Sequence, residues 1–265
     1  MTILEQITES KKRELKHLKE AIPLKQLEKS EFFGRTCHSL HQALATAAHP
    51  SIIAEFKRKS PSGGIINDTV LVEDVTRAYV SAGVAGLSVL TDYPYFGGRG
   101  EDLICARIIN ACPILRKDFL VDEYQVYEAK AMGADIILLI AACLTPGKTF
   151  KMAGLARSLG MEVLLELHAE KELDHLNEYI SFAGINNRNL KDFTVSLDSS
   201  LHLAQKLPAG LVKISESGLR SPETVNTLFK AGFKGFLMGE AFMSTPDPGA
   251  ACHNFILSLQ TQSNT

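Results

Sequence analysis

Two oppositely charged side chains follow an apolar run near residue 52. The segment IIAEFKRKSPSGG, residues 52–64, predicts a strand that ends in a serine-proline turn and two glycines. Because side chains alternate along a strand, Glu55 and Lys57 share one face. A carboxylate and an ammonium group are costly to bury unless they are paired or used. The two residues therefore form either a strand-end salt bridge or part of a catalytic site.

A lysine ends another apolar run, in the segment PILRKDFLVD at residues 113–122. Lys117 and Phe119 share a face, so we expect the amine to lie beside an apolar ring. Burial favours the neutral amine and brings a lysine into the pKa range for proton transfer. Such a lysine could also form a Schiff base. The plainer alternative is that Lys117 only pairs with Asp118 or a neighbouring carboxylate.

A carboxylate ends the apolar part of the segment MEVLLELH, residues 161–168. Glu166 is expected deep in the mouth of the fold, where a carboxylate beside a lysine can be a general base or a charge partner. The alternative is a simple buried ion pair. His168 comes two residues later and is expected in the following loop, so we assign it no role.

Planar hydrogen-bond donors follow a further strand, in the segment GINNRNL at residues 184–190. Asn186 and Arg188 alternate to the same side of the chain. Amide and guanidinium groups suit a carboxylate, a hydroxyl or a phosphate. Hydrogen bonds that only stabilise the loop are the rival interpretation.

Two glycine-containing loops near the end of the chain suit a phosphate group. They are SESG at residues 215–218 and FLMGE at residues 236–240. Gly218 and Gly239 let backbone N–H groups approach an anion closely. The side chain of Glu240 is expected to point away from the anion, while its backbone N–H can still contribute.

An aromatic residue precedes a glycine pair in LSVLTDYPYFGGRGEDL, residues 87–103. Phe96, with Gly97 and Gly98, predicts an aromatic side chain on a mobile loop over the mouth. The alternative is that Phe96 is only a hydrophobic anchor of this loop.

Short apolar runs alternate with amphipathic helical patterns after Pro50. Strands are predicted near 51–56, 86–90, 113–117, 134–140, 161–167, 181–185, 211–215 and 234–238. Helices are predicted near 69–82, 100–111, 122–132, 147–159, 169–177, 196–206, 221–231 and 247–260. Eight strand–helix units favour an α/β fold of the (βα)8 TIM-barrel class over an open sheet.

We expect a single domain over residues 1–265. Residues 1–48 form an N-terminal helical extension with helices near 3–20 and 36–47, and residues 50–262 form the barrel. The polar residues described above cluster at the carboxyl ends of the predicted strands. Active sites of such barrels lie at that face.

Composition excludes several other classes of function. With 45% hydrophobic and 22% charged residues, a net charge of −2 and no long basic or acidic block, nothing predicts a nucleic-acid or membrane partner. Five cysteines without a CxxC pair fit reduced thiols rather than a disulfide framework or a zinc site. No signal-peptide or membrane-spanning pattern is present, so we expect a cytoplasmic protein.

Together the motifs closely resemble one family, the indole-3-glycerol phosphate synthases of tryptophan biosynthesis. The resemblance rests on AEFKRKSPSGG, SVLTDYPYFGG, PILRKDFLVDEYQVYEA, GADIILLI, GINNRNL, SESG and GEAFM, in the family's order over nearly the whole chain. It implies a (βα)8 barrel, a carboxy-lyase, that closes the indole ring of 1-(2-carboxyphenylamino)-1-deoxyribulose 5-phosphate with loss of CO2 and water. It implies a phosphorylated small-molecule substrate and no cofactor or metal.

The resemblance also implies roles for particular residues. The catalytic residues would be Lys117 as general acid, Glu166 as general base and Glu55 as their assistant. Substrate-binding residues would be Lys57, Phe96, Phe119, Asn186, Arg188, Glu216 and Ser217. Phosphate-binding residues would be Ser60, Gly218, Leu237, Gly239 and Glu240. Phe96 and Phe119 would pack against the anthranilate ring.

The chain departs from the family pattern in the loop after the first strand. The family usually has a small residue where Lys59 stands and a lysine where Gly63 stands. If the usual loop lysine takes part in catalysis or phosphate binding, Lys59 would have to replace it.

Two other classes of function stay open from the sequence. One is another phosphosugar barrel, either a Schiff-base aldolase using Lys117 or a phosphoribosylanthranilate isomerase. The other is a non-catalytic phosphate-binding barrel. The oligomeric state is expected to be a monomer or a weak homodimer.

Overall fold

Eight parallel strands close into a barrel in the computed structural model, which describes residues 2–188 and 194–262. The strands are β1 (Ser51–Phe56), β2 (Gly86–Leu90), β3 (Ile114–Lys117), β4 (Ile136–Ile140), β5 (Glu162–Leu167), β6 (Phe182–Asn186), β7 (Val212–Glu216) and β8 (Phe233–Met238). Each strand pairs with the next along the chain, and β8 pairs with β1. The predicted (βα)8 barrel is confirmed.

Helices precede the barrel, connect its strands and close the chain. They are α1 (Ile3–Ala21), α2 (Leu24–Leu27), α3 (Leu40–Ala45), α4 (Val72–Ser81), α5 (Tyr93–Phe96), α6 (Gly100–Ile109), α7 (Tyr124–Met132), α8 (Pro146–Ser158), α9 (Leu197–Lys206), α10 (Pro222–Lys230), α11 (Glu240–Met243) and α12 (Pro248–Gln262). The helix predicted over 169–177 is a 3-10 helix, Glu170–His175. Its turn is closed by bonds such as that from the N–H of Glu172 to the carbonyl of Ala169.

The inside of the barrel is a packed core closed from below by α3. Leu40 and Leu44 of α3 pack against inward-facing strand residues, among them Ile53, Ile136, Leu164, Phe182 and Ile214. Helix α3 is shorter than the predicted 36–47 because Ser39 caps it, its Oγ accepting the N–H of Gln42 at 3.0 Å. Glu162, at the first position of β5, accepts the N–H of Leu40 at 2.9 Å. The amino ends of the strands therefore serve stability.

Helix α1 lies across the carboxyl ends of the strands. It begins with a capping box, in which Thr2 Oγ1 accepts the N–H of Glu5 and Glu5 Oε2 accepts the N–H of Thr2. Its Lys11 is buried, with Nζ 3.1 Å from Asp92 Oδ2 and 3.2 Å from Asp118 Oδ1. None of the helices in the described part of the chain has the length and apolar content to span a bilayer.

Candidate active site

All fifteen residues predicted for the site line one pocket at the carboxyl ends of the strands. Six of them occupy one of the last two positions of a barrel strand, as Lys117 ends β3 and Glu216 ends β7, and the other nine lie in the segments that follow the strands. The rim also includes Ile3, Leu4 and Ile7 of α1, which sequence reasoning did not assign to the site. Their spacing of three and four residues marks one apolar helix face, a signal that was present but pointed only to packing.

A lysine between two glutamates forms the floor of the pocket. Lys117 Nζ lies 3.2 Å from Glu166 Oε2 and 3.5 Å from Glu216 Oε2. Burial alone would lower the pKa of Lys117, but these two carboxylates raise it above its usual range. Burial disfavours the charged amine as expected, but the prediction that the pKa of Lys117 is lowered toward the range for proton transfer is wrong, because two carboxylates outweigh burial. Lys117 is an ammonium group that can donate a proton.

The two glutamates beside Lys117 differ in their protonation. Burial alone would raise the pKa of Glu166, whereas the charge of Lys117 and the contact with His168 hold it below its usual range. Burial and repulsion from Glu166 raise the pKa of Glu216, which the attraction of Lys117 only partly offsets. The floor therefore joins an ionised carboxylate, an ammonium group and a carboxyl group that readily holds a proton.

A second ion pair stands beside this floor. Lys57 Nζ lies 2.9 Å from Glu55 Oε1, and Ser88 Oγ lies 3.4 Å from Glu55 Oε2. Both members line the pocket. The two alternatives from the sequence are therefore not exclusive, since the strand-end salt bridge is itself part of the pocket wall.

Asn186 and Arg188 orient groups on the opposite wall. Asn186 Nδ2 donates to Glu166 Oε1 at 3.0 Å, and its Oδ1 accepts the N–H of Arg188 at 3.0 Å. The guanidinium group of Arg188 reaches Ser62 Oγ at 3.2 Å, across the pocket from β6. Asn186 thus links the buried carboxylate to the residue that spans the rim.

The loops after β7 and β8 form the other end of the pocket. Ser217 and Gly218 have φ values of 69° and 70°, and Ser217 is the one non-glycine residue with positive φ in the described ranges. The carboxylate of Glu240 lies between two guanidinium groups at the rim. Its Oε1 accepts from Arg220 Nη2 at 2.7 Å, and its Oε2 lies 3.7 Å from Arg188 Nη2. The rim therefore concentrates guanidinium groups around one carboxylate.

Two further predicted phosphate residues have structural partners. Ser60 Oγ accepts the N–H of Gly63 at 3.0 Å within a short hairpin of Lys59–Ser60 with Gly64–Ile65. Leu237, on the inner face of β8, packs in the barrel core as well as lining the pocket. Ser60 thus shapes the loop above the pocket, and Leu237 supports its floor.

Two aromatic rings face each other at the pocket edge. The ring centroids of Phe96 and Phe119 are 6.0 Å apart. Phe96 ends the one-turn helix α5 rather than lying on a loop, because Asp92 Oδ1 caps that helix by accepting the N–H of Tyr95 at 2.9 Å. The pocket therefore has an apolar wall that could hold a planar ring.

The family follows from comparison with known proteins. A family model described as Indole-3-glycerol phosphate synthase matches residues 4–255. The chain belongs to the indole-3-glycerol phosphate synthase family. The indole-3-glycerol phosphate synthase of Bacteroides thetaiotaomicron is 45% identical over 97% of this chain and 99% of that protein. The one from Laribacter hongkongensis is 44% identical over 94% of this chain and 97% of that protein.

Solved structures share the fold at low sequence identity. Tryptophan synthase subunit alpha from Legionella pneumophila aligns with a TM-score of 0.62 at 14% identity, over 85% of this chain and 97% of that one. KGPDC from Streptococcus mutans aligns with a TM-score of 0.59 at 15% identity, over 80% and 99%. Likeness at these identities shows the barrel fold alone.

Membership of the indole-3-glycerol phosphate synthase family confirms the predicted activity and enzyme class. The chain is a carboxy-lyase of tryptophan biosynthesis that acts on a phosphorylated small molecule. The structure also shows the contact made by Lys59 in the first loop. Lys59 Nζ donates to the carbonyl of Pro94 at 2.8 Å, and Lys59 is absent from the pocket lining among the described residues. Lys59 is therefore directed toward the segment that carries Phe96 rather than into the pocket.

One titratable residue beside this synthase pocket was missed. His168 Nε2 lies 3.1 Å from Glu166 Oε1. The alternation of β5 places His168 on the same face as Glu166, so the signal was in the sequence. It was discounted because His168 follows the last residue of the strand.

Proposed function

We propose that Lys117 is the general acid and Glu166 the general base of the indole-forming reaction. The observation that carries the proposal is the ammonium group of Lys117 held within 3.2 Å of Glu166 and 3.5 Å of Glu216 on the pocket floor. Ring closure needs a proton donor at a carbonyl, and dehydration needs both an acid and a base. This floor provides all three functions in one place.

The two ends of the substrate suit the two ends of the pocket. The phosphate would lie at the loops after β7 and β8, where Gly218, Gly239 and Arg220 line the pocket. Backbone N–H groups of the glycines would bind the anion, and Arg220, which pairs with Glu240 in the free protein, would turn to it. The substrate carboxylate would bind Lys57, and its aromatic ring would pack against Phe96 and Phe119. This orientation sets the sugar carbonyl above Lys117.

The first chemical stage joins two carbons. The ring carbon that bears the carboxylate attacks the ketone carbon, and Lys117 donates a proton to the ketone oxygen as its π bond breaks. The bond to the carboxylate then breaks, CO2 leaves, and the electron pair restores the aromatic ring. The electrostatic attraction between Lys117 and the ketone oxygen is strongest in the transition state, because negative charge develops on that oxygen there.

The second stage removes water. The hydroxyl group that was the ketone oxygen leaves with a proton from an acid, and Glu166 takes the proton from the neighbouring carbon, which forms the ring double bond. Lys117 is the nearest acid, and Glu216 can return a proton to it because its raised pKa keeps a carboxyl proton available. Glu55 and Lys57 assist by balancing charge. No step calls for a metal or a cofactor.

The test is direct turnover of the substrate. Purified protein is mixed with 1-(2-carboxyphenylamino)-1-deoxyribulose 5-phosphate, and indole fluorescence is followed; the chain has no tryptophan, so protein background is low. We expect Lys117→Ala to lower kcat by at least ~100-fold while circular dichroism stays unchanged. Lys206→Ala, at an exposed lysine paired with Glu170, is the control. An intact rate in Lys117→Ala would remove the acid assignment.

Experiments on the same purified protein distinguish the rival enzyme classes. A Schiff-base aldolase needs a neutral lysine, and the raised pKa of Lys117, in spite of its burial, argues for the charged form beside Glu166. Borohydride should therefore not trap the protein on its substrate. A phosphoribosylanthranilate isomerase would produce no indole. Binding without turnover would indicate the non-catalytic barrel.

The organisation and location of the chain are also part of the proposal. We infer a single domain over residues 1–265, with extension 1–48 and barrel 50–262, that acts in the cytoplasm. A net charge of −2 without a basic block argues against a nucleic-acid partner. A monomer or weak homodimer is expected, and light scattering after gel filtration over a concentration series measures it.

A further inference from the structure

His168 lies between two glutamates at the edge of the pocket. Its Nε2 is 3.1 Å from Glu166 Oε1, and its Nδ1 is 3.8 Å from Glu172 Oε2. The contact with Glu166 is an ion pair that falls short of an aligned hydrogen bond. The side chain is 11% exposed, so water screens these charges weakly. A buried imidazole with a carboxylate on each side differs from an ordinary surface histidine.

Glu172 holds His168 through the main chain as well. The backbone N–H of His168 donates to Glu172 Oε2 at 2.7 Å. Glu172 is buried in the 3-10 helix Glu170–His175, directly after the loop that carries His168. The first turn of this short helix therefore holds both the backbone and the ring of His168.

Both oxygens of Glu166 are in contact with nitrogen atoms. Oε2 accepts from Lys117 Nζ at 3.2 Å. Oε1 accepts from Asn186 Nδ2 at 3.0 Å and faces His168 Nε2. A carboxylate held at both oxygens has a fixed orientation, which proton abstraction from carbon requires.

The groups that face His168 favour its charged form. Burial alone would lower the pKa of His168, but Glu166 and Glu172 raise it to about 9. The other nearby titratable group is Cys143, whose thiol faces both glutamates; burial raises its pKa to about 12, so it is neutral. Lys117 contributes positive charge from the far side of Glu166. Near neutral pH, Glu166 therefore has two positively charged neighbours.

We propose that His168 is a positioning residue that holds Glu166 ionised and oriented for proton abstraction, with Glu172 as its anchor. The inference rests on the proposed function because it takes Glu166 as the base. His168 does not touch the reacting atoms in this account. It acts through Glu166 Oε1, while Lys117 acts through Oε2 and also on the substrate.

The inference predicts a shift in the pH profile. Removing the imidazolium raises the pKa of Glu166, so the ionised base appears only at higher pH. His168→Leu should lower kcat by about tenfold and move the acidic limb of kcat upward by about one pH unit, with little change in KM. His168→Gln keeps a donor without the charge, so it should retain more of kcat and still show the shifted limb.

Two further variants make the test specific. Glu172→Gln leaves the ring in place but removes the charge of its anchor, and should move the acidic limb in the same direction by less. His202→Gln is the matched control, because His202 pairs at 4.0 Å with Glu170 of the same 3-10 helix but is 66% exposed. Its profile should equal that of the wild type.

The outcomes separate this inference from the proposed function. Wild-type protein that forms no indole overturns the proposed function itself. Wild-type turnover with an unmoved acidic limb in both His168→Gln and Glu172→Gln overturns only the role of His168. If His168→Gln does not fold, Glu172→Gln decides alone. A loss of kcat without a shifted limb in folded variants also contradicts the inference, because it would indicate a merely structural role.

Discussion

Gly184 leaves the space that the carboxylate of Glu216 occupies. A Cβ atom on Gly184 would lie 2.2 Å from Glu216 Oε1, well inside the closest approach of real atoms. Gly184 pairs in register with Glu166 on β5, so the glycine stands between the strands that carry the two glutamates. The position of the acid–base floor therefore depends on a missing side chain in β6.

Gly184→Ala should lower activity by moving Glu216 away from Lys117. There is no space for the added methyl group unless the carboxylate of Glu216 shifts. We therefore expect kcat to fall by about tenfold or more. Steady-state kinetics with indole fluorescence measures this. Gly147→Ala is the control, because nothing lies within 4 Å of a Cβ at that position in α8. A normal rate in Gly184→Ala would show that the floor tolerates displacement of Glu216.

Glu216→Gln should lower the activity and raise the stability of the folded protein at alkaline pH. The folded pKa of Glu216 is raised above its ordinary value of 4.5 by burial and by Glu166. In the wild type, protonated Glu216 therefore contributes to the free energy of unfolding. This contribution is fully present below that ordinary value and is lost as the pH rises through the folded pKa. Glutamine cannot ionise, so the variant should be more stable than the wild type at about pH 9, relative to about pH 5.

Urea unfolding at the two pH values measures the effect of Glu216→Gln on stability. The same variant should have a kcat lowered by about tenfold, because it cannot return a proton to Lys117. Parallel pH dependence of the variant and the wild type would mean that Glu216 is already ionised in the folded protein.

Lys11→Met should destabilise the folded protein strongly. Lys11 Nζ is the cation between the buried carboxylates of Asp92 and Asp118. Its removal leaves the negative charges of both carboxylates less well neutralised. Loss of one partner from such a buried site costs about 3–5 kcal/mol of unfolding free energy. Chemical denaturation measures this.

Lys19→Met is the matched control for Lys11→Met. Lys19 joins the same helix α1 to Asp122 at 2.8 Å but is 44% exposed. It should change the unfolding free energy by no more than about 1 kcal/mol. Equal losses in the two variants would mean that the tether of α1, rather than burial of the aspartates, sets the cost.

The sequence was sufficient for the order of elements and for the strand-end residues. Lys117, Glu166 and Glu55 could be placed at one mouth because the alternation of strands and helices fixes which ends converge. Local patterns decide those features. The register of neighbouring strands then brings the residues together, as Ile140 pairs with Glu166 and Asn186 with Glu216.

Several features that sequence reasoning missed depend on contacts between distant segments. The pKa of Lys117 was assigned the wrong direction because its carboxylate neighbours come from other strands, 49 residues along the chain in the case of Glu166. The one-turn helix that carries Phe96 has a local cap in Asp92, but Asp92 is itself held by the distant Lys11 of α1. A single-sequence pattern carries no signal for such pairings.

Strand β5 has a glutamate at each end of its inner face. Glu162 supports α3 at the bottom of the barrel, and Glu166 lines the pocket at the top. The two are four positions apart, which spans about 13 Å along the strand. Changes to the Glu162 contacts are therefore expected to alter thermal stability without moving the pH dependence that Glu166 confers at the opposite end.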